Sequence, residues 1–211
     1  MNGQAIRNER LAEVVIQQMK RRHINAYYCA NSADAIKQVQ ELIPEGSSIT
    51  WGGSLTIREM GLTAALKAGN YQVFDRDEIK TQAEKVEIYR KAFSCDYYLT
   101  SANAITEDGL IVNIDGSGNR VAAITWGPEH VIFVVGMNKV CHDLEAAMSR
   151  ARHLAAPVNA TRIGCKTPCQ VDGICHSCHS TECICNYLHV MRNSYPAGRH
   201  TVILVGEEWG Y

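Results

Sequence analysis

Residues 131–135, Val-Ile-Phe-Val-Val, run without a single polar side chain. A strand with one wet face alternates apolar and polar residues, so an unbroken run marks a strand covered on both faces. Residues 201–205, Thr-Val-Ile-Leu-Val, read as a second, final strand of the same kind. Such strands are satisfied by a parallel sheet with helices packed on each side, and that requirement narrows the fold more than any other feature of the chain.

The rest of the sequence supplies helices and strands in alternation. Leu11, Val14, Val15 and Met19 recur at helical spacing within residues 7–22, and residues 25–30 read as a short strand. Asn31 or Ser32 caps a helix through Ala35, Val39 and Leu42, ended by Pro44-Glu45-Gly46. A strand at 48–51 stops at Gly52-Gly53, and Ser54 opens a helix through Leu55, Met60, Leu62 and Leu66 that Gly69 closes. Residues 71–74 read as a strand, and Asp77 caps a long polar helix to about Phe93, followed by a strand at 96–100. The rhythm then changes. Residues 104–106 and 110–113 flank Glu107-Asp108-Gly109 as a hairpin, and residues 115–119 make a second turn before Val121-Ala122-Ala123-Ile124. Residues 143–154 are helical in pattern. The expected architecture is one α/β domain over residues 1–211, an open, mostly parallel sheet with helices on both faces and an inserted antiparallel section. A cysteine-rich insertion is expected at about 164–193.

Six of the nine cysteines, Cys165, Cys169, Cys175, Cys178, Cys183 and Cys185, fall within residues 165–185. A disulfide scaffold spreads its cysteines through a small secreted chain with little other core. Here the core is ample, and the charged, helical N-terminal segment does not read as a secretory signal, so reduced thiols in the cytoplasm and a metal centre are expected. A structural zinc site draws four ligands from two Cys-x2-4-Cys knuckles, and only Cys175-x2-Cys178 is a good one. A 4Fe–4S cluster takes four thiolates and tolerates irregular spacing, which favours it over zinc. Cys175-His176-Ser177-Cys178-His179 also spells the covalent haem pattern, but haem attachment follows export. His176, His179 and His189 are spare zinc donors. With 21 Lys and Arg against 22 Asp and Glu, nothing suggests a nucleic-acid partner. No apolar run reaches the roughly 18 residues of a membrane span.

Several strand ends carry small polar residues. Gly52-Gly53-Ser54, leading into a helix, allows close backbone approach and offers amides to an anion. It is neither a Walker loop nor the dinucleotide Gly-x-Gly-x-x-Gly. Ser101 and Asn103 leave the strand at 96–100, while Asp115, Gly116, Gly118, Asn119 and Arg120 cluster in the second turn. Asn138 and Lys139 follow the strand at 131–135. Ligands in open α/β sheets sit at the carboxyl ends of the strands, so these residues are expected to share one crevice for a small anionic metabolite. Glu59, Asp115 and Lys139 are the candidates for proton transfer.

Taken together, Gly52-Gly53-Ser54, residues 100–106, residues 113–123, Val134-Val135-Gly136-Met137-Asn138-Lys139 and Ile203-Leu204-Val205-Gly206-Glu207 resemble the LUD-domain family of lactate-utilisation proteins. The resemblance is to a short form with a cysteine-rich segment, matched by Thr167-Pro168-Cys169, Cys175, Cys178 and Cys185-Asn186. It implies a fold like the sugar-phosphate isomerase, CoA-transferase and formyltetrahydrofolate cyclo-ligase group. It also implies Cys169, Cys175, Cys178 and Cys185 as the ligand set, with Cys165 and Cys183 unassigned. Some family members belong to an iron–sulfur system that oxidises lactate to pyruvate.

Three functions compete. The first is a redox-associated protein of lactate or hydroxy-acid utilisation with a partner redox protein. The second is an isomerase-, transferase- or ligase-like enzyme on a phosphorylated or CoA-linked metabolite, in which the metal is structural. The third is a non-catalytic redox or metal sensor subunit. Exposed apolar sheet edges point to pairing as a homodimer.

Overall fold

A computed structural model describes residues 3–79 and 81–211. Helix α1 (Gly3–Arg21) leads into β1 (Asn25–Cys29), and α2 (Ser32–Leu42) into β2 (Ser48–Trp51). Helices α3 (Leu55–Glu59) and α4 (Leu62–Ala68) precede β3 (Gln72–Phe74), and α5 (Gln82–Lys91) precedes β4 (Tyr97–Thr100). Strands β5 (Ala104–Thr106) and β6 (Ile111–Asp115), helix α6 (Asn119–Thr125), and strands β7 (His130–Gly136) and β8 (Val140–Cys141) follow. Helix α7 (Leu144–Arg150) passes through a π turn (Ala151–Ala155) into α8 (Ala156–Ile163). Helix α9 (Pro168–Asp172) and strands β9 (Tyr187–Met191) and β10 (His200–Val205) complete the chain.

Six strands form one sheet in the order β1-β10-β7-β4-β2-β3, and every pair in it is parallel. The two apolar strands β7 and β10 lie side by side at its centre, as their composition requires. Their side chains alternate between two cores. Val131, Phe133, Val135, Val202 and Leu204 pack with Ala12, Val15 and Met19 of α1 and with Ala123 and Ile124 of α6. Ile132, Val134, Ile203 and Val205 pack on the other face with Ala35 and Val39 of α2, Ile57 of α3, and Leu62 and Leu66 of α4. This two-residue period is that of a pleated strand sandwiched between helix layers. The architecture is therefore the expected α/β sheet with helices on both faces.

The antiparallel section forms a sheet of its own, β8-β5-β6-β9, with β5–β6 and β6–β9 antiparallel and β5–β8 parallel. Strand β9 belongs to the cysteine-rich segment, so the end of that segment is stitched into the second sheet rather than standing alone.

Three local expectations change. The polar helix starts after Thr81, not at Asp77: an Asp75 carboxylate oxygen accepts from the Asp77 amide in a local turn. Thr81 and Glu84 form a reciprocal capping box that fixes the start of α5. Lys80 lies outside the described residues. The helix after Ser54 divides in two at Gly61, whose φ of +86° suits glycine and breaks the helical path. The turn at 115–119 leads into helix α6, not a strand, with Gly118 (φ +80°) entering it. The π turn has its own cause. Pro157 has no amide to donate, and the Ala156 amide reaches back five residues to the Ala151 carbonyl.

Phe133 is fully buried at the sheet centre. Phe133→Ala is expected to cost about 3–5 kcal/mol in urea unfolding. Lys37→Ala, at an exposed helix position, is expected to change stability by less than about 0.5 kcal/mol.

Candidate functional site

Strands β2, β4 and β7 are parallel neighbours with their carboxyl ends on one side of the sheet, and the end of β6 meets them from the second sheet. A cleft of about 590 Å³ opens over these carboxyl ends. Its lining includes Gly53, Ser54, Ser101, Asn103, Asp115, Gly116, Asn119, Arg120 and Lys139, which the sequence places on four separate segments. Gly52, Gly118, Asn138 and the exposed Glu59 are not part of the lining.

Arg120 organises the floor. Its Nη1 donates to Asn113 Oδ1 (2.5 Å) and the Ser101 carbonyl (3.2 Å), and its Nη2 to the Ile114 carbonyl (2.7 Å) and Asn103 Oδ1 (3.2 Å). Its Nε lies 3.5 Å from Asp115 Oδ2, and both side chains are largely buried. Asp115 also accepts from the Gly118 amide at 2.9 Å, fixing the turn into α6. Asn103 Oδ1 accepts in addition from the Ile114 amide. These groups spend their hydrogen-bonding capacity on each other, so they shape the cleft more than they offer charge to a ligand.

The two glycines after β2 differ in purpose. A Cβ on Gly52 would lie 2.8 Å from Tyr98 Oη and 3.1 Å from Arg120 Cδ, so its small size is demanded by packing. A Cβ on Gly53 would lie 3.3 Å from Arg76 Nη1, in the cleft wall. Ser54 caps α3 by accepting from the Ile57 amide at 3.5 Å. With only five residues, α3 offers little of the helix dipole that the sequence suggested for anion binding.

Lys139 is 2% exposed and donates from Nζ to Thr56 Oγ1 (2.9 Å) and Ser101 Oγ (3.3 Å). Burial, then the charges of Arg150 and Arg120, pull its ammonium down to about 7, against weak support from Glu59. The positive rim comes from elsewhere. Arg76 sits over the Tyr89 ring at 5.0 Å, its Nε without a hydrogen bond and 3.8 Å from an Asp77 oxygen. Lys85 and Arg162 complete the rim, Arg162 Nε donating to Tyr211 Oη at 2.7 Å.

A second cavity, of about 540 Å³, lies under the cysteine-rich loop. Cys169, Cys175, Cys178, Cys183 and Cys185 all line it, against Arg152, Ala156 and Pro157 of the long helix. The four cysteines that the resemblance implies are thus gathered at one chamber together with Cys183. Cys165 is not among the lining residues, but its thiol is pushed up by burial and then by Glu182, Cys169 and Cys183. Burial, then Cys183, Cys175 and Cys169, push the Cys185 thiol up to about 12. Among the described residues no three His, Cys, Asp or Glu side chains converge closely enough to hold a metal ion. All nine cysteines are free. His176, paired with Asp172 (2.8 Å), and His179 both line the cavity, whereas His189 contacts Thr125 (3.2 Å) away from it.

The two cavities share a wall. Cys183 and Ile184 line both. Ile184 is pressed against the 115–118 turn, where a Cβ on Gly116 would lie 3.2 Å from Ile184 Cα. Asn186 Nδ2 donates to the carbonyls of Gly116 and Cys183, both at 2.9 Å, tying the loop to the cleft floor.

The family model of the LUD domain matches residues 12–205. The chain belongs to the LUD domain family. Among solved structures, this LUD domain is similar to a DUF162 family protein from Deinococcus radiodurans, with 10% identity and a TM-score of 0.56 over 94% of this chain and 97% of that one. At that identity the likeness is one of fold. Looser similarities are to eIF2B beta from Chaetomium thermophilum (12% identity, 53% of this chain, 43% of that, TM-score 0.39) and eIF2B delta from the same organism (15%, 58%, 54%, 0.37). A comparison with curated proteins finds no match. No helix of this LUD domain is long and apolar enough to cross a membrane, among the described residues.

Sequence reasoning missed Thr56, Arg76, Lys85, Tyr89, Arg162 and Tyr211 as cleft residues. Thr56 stood two positions past Ser54, inside a quoted motif. Arg76, Lys85 and Arg162 carry no local signal, because a lone cation on a helix or loop reads as solvated surface, and Tyr89 and Tyr211 stand in no motif.

Removing the Arg120 guanidinium leaves the largely buried Asp115 carboxylate without its cation and Asn113 Oδ1 without a donor. Arg120→Met is expected to destabilise the LUD domain by about 3–5 kcal/mol. Arg76→Met is expected to stay within about 1 kcal/mol of the parent while weakening binding of inorganic phosphate, read from urea unfolding and from the phosphate-dependent shift in Tm.

Proposed function

We propose that this protein serves lactate or related hydroxy-acid utilisation by holding a small anionic metabolite in the cleft beside an iron–sulfur cluster in the cysteine cavity. The observation that carries the reading is the shared wall at Cys183 and Ile184, which puts the two chambers one side chain apart.

The chemistry of the donors supports a metal group. Cys169, Cys175 and Cys183 each raise the Cys185 thiol, so ionising these sulfurs together needs a nearby cation to absorb the charge. Zinc at 2.3 Å from each sulfur draws its ligands tightly around one point. Five sulfurs spread around a chamber of about 540 Å³ suit a larger, multi-iron group better than one ion. Cys169, Cys175, Cys178 and Cys185 would hold it, with Cys183 facing both chambers. When bound, such a cluster supplies one-electron transfer.

The cleft residues do the rest. Arg76, Lys85 and Arg162 supply positive charge at the rim, while the Arg120 network keeps the floor rigid. Ile184 and Leu188 add apolar side chains to the lining around the sulfurs. One observation favours the isomerase- or transferase-like reading as a second possibility: Lys139, a buried amine at a strand end, is suited to moving protons on a bound metabolite.

Anaerobic purification followed by a visible spectrum and assays of iron, acid-labile sulfide and zinc decides the metal. The expected protein is brown, with iron and sulfide in equal amounts, and Cys185→Ser loses most of both. A colourless protein with one zinc per chain overturns the redox reading.

A further inference from the structure

Lys139 differs from the other lysines of the chain in what surrounds it. It stands in the turn after β7, 2% exposed, and is among the residues that line the cleft. Its hydrogen-bond partners are two hydroxyls, Thr56 Oγ1 at 2.9 Å and Ser101 Oγ at 3.3 Å. Among the described residues no carboxylate oxygen lies within ion-pair distance of it; Arg120, from the floor of the cleft, has Asp115 instead. The chain backbone closes the other side, where a Cβ on Gly210 would come within 3.3 Å of Nζ. An ammonium in this place has lost its water and gained no counter-ion, which is the arrangement that leaves a lysine amine with its lone pair free. The cleft that Lys139 lines, about 590 Å³, is wide enough for a small metabolite, and hydroxyls that donate as well as accept flank the amine.

We propose that Lys139 is a nucleophile that forms a reversible imine with the carbonyl carbon of a small aldehyde or keto acid held in the cleft. The inference rests on the reading of the cleft as an anion site and adds the ligand class: a carbonyl compound that also bears a carboxylate. The Nζ lone pair forms the C–N bond while the carbonyl π bond opens onto oxygen. A proton passes from nitrogen to that oxygen through the Thr56 or Ser101 hydroxyl. The carbinolamine then loses its oxygen as water, and the C=N bond forms. No electrons enter or leave, so no oxidant or reductant is needed. The carboxylate of the ligand is met by the Arg76 and Arg162 side of the cleft.

The charged groups that face Lys139 are Arg150 from α7, Arg120 from α6 and, weakly, Glu59 from α3. Burial and the two guanidiniums hold the ammonium at about 7, so the amine is half neutral near pH 7, where an ordinary lysine is almost wholly charged.

The test uses the purified full-length protein with glyoxylate and cyanoborohydride at pH 7, followed by peptide mapping. Carboxymethyl-lysine is expected at Lys139 in at least about tenfold excess over Lys37 or Lys166, whose side chains are exposed. Acetaldehyde, which lacks the carboxylate, is expected to label Lys139 less than glyoxylate does. Oxalate, an anion without a reactive carbonyl, is expected to protect it. The labelling rate at Lys139 is expected to rise through about pH 7 and level off, while the surface lysines rise only toward pH 10. Labelling spread evenly over the lysines, or absent from Lys139, overturns the imine. In that event a Tm raised by oxalate leaves the anion cleft standing, whereas a Tm that oxalate does not move takes the cleft reading down as well.

Discussion

The guanidinium of Arg120 is the contact on which the site depends. It gathers the Ser101 carbonyl beyond β4, Asn103 before β5, Asn113 and Ile114 of β6, and Asp115 at the β6 end. Four of these acceptors are neutral oxygens that have left water, and one is a carboxylate. A planar cation with five donors is the side chain suited to satisfy such a set at once. The result is a rigid corner where the parallel sheet meets the antiparallel one. The cleft is the space left above that corner.

Two consequences follow for the chemistry. First, the residues that most resemble a ligand-binding motif, Asn103, Asp115 and Arg120, are engaged with one another and act by shape. Charge for an anion comes from Arg76, Lys85 and Arg162, which stand outside the corner. Second, the amine of Lys139 is left beside two arginines without a carboxylate, and an isolated cation is not stable there. Burial, with Arg150 and Arg120 beside it, neutralises the lysine, while the separate rim cations attract the anion that it would meet. Beyond the 115–118 turn, Asn186 and Ile184 fasten the cysteine loop against the other side of this corner, so one piece of framework forms a wall of both chambers.

Much of this was legible in the sequence, and the reason is local. Strands β7 and β10 declared themselves by composition, Asn31 and Ser54 by capping chemistry, and the β5–β6 hairpin by its Gly109 turn. Ser101, Asn103 and Lys139 could be grouped because strand ends in a parallel sheet share an edge, whereas Asp115 and Arg120 reach the same crevice from the end of β6 in the antiparallel sheet and from α6 after it. The start of α5 was misread because Asp77 and Thr81 are both good caps, and only the Asp75 turn and the Thr81–Glu84 pair decide between them. Strand β9 was invisible because Tyr187, Leu188 and Val190 are exposed at a sheet edge and show no inward alternation. Cys183 looked redundant because spacing alone does not reveal that it faces two cavities.

One wall, Cys183 and Ile184, separates the cleft proposed for a carbonyl compound from the cysteine chamber proposed for iron. Anomalous diffraction at the iron edge, from crystals grown anaerobically and soaked with glyoxylate, addresses this arrangement directly. The account predicts iron among the sulfurs of Cys169, Cys175, Cys178 and Cys185, glyoxylate density continuous with Lys139 Nζ, and Ile184 between them. A chamber free of iron, or glyoxylate seated away from Lys139, would contradict it.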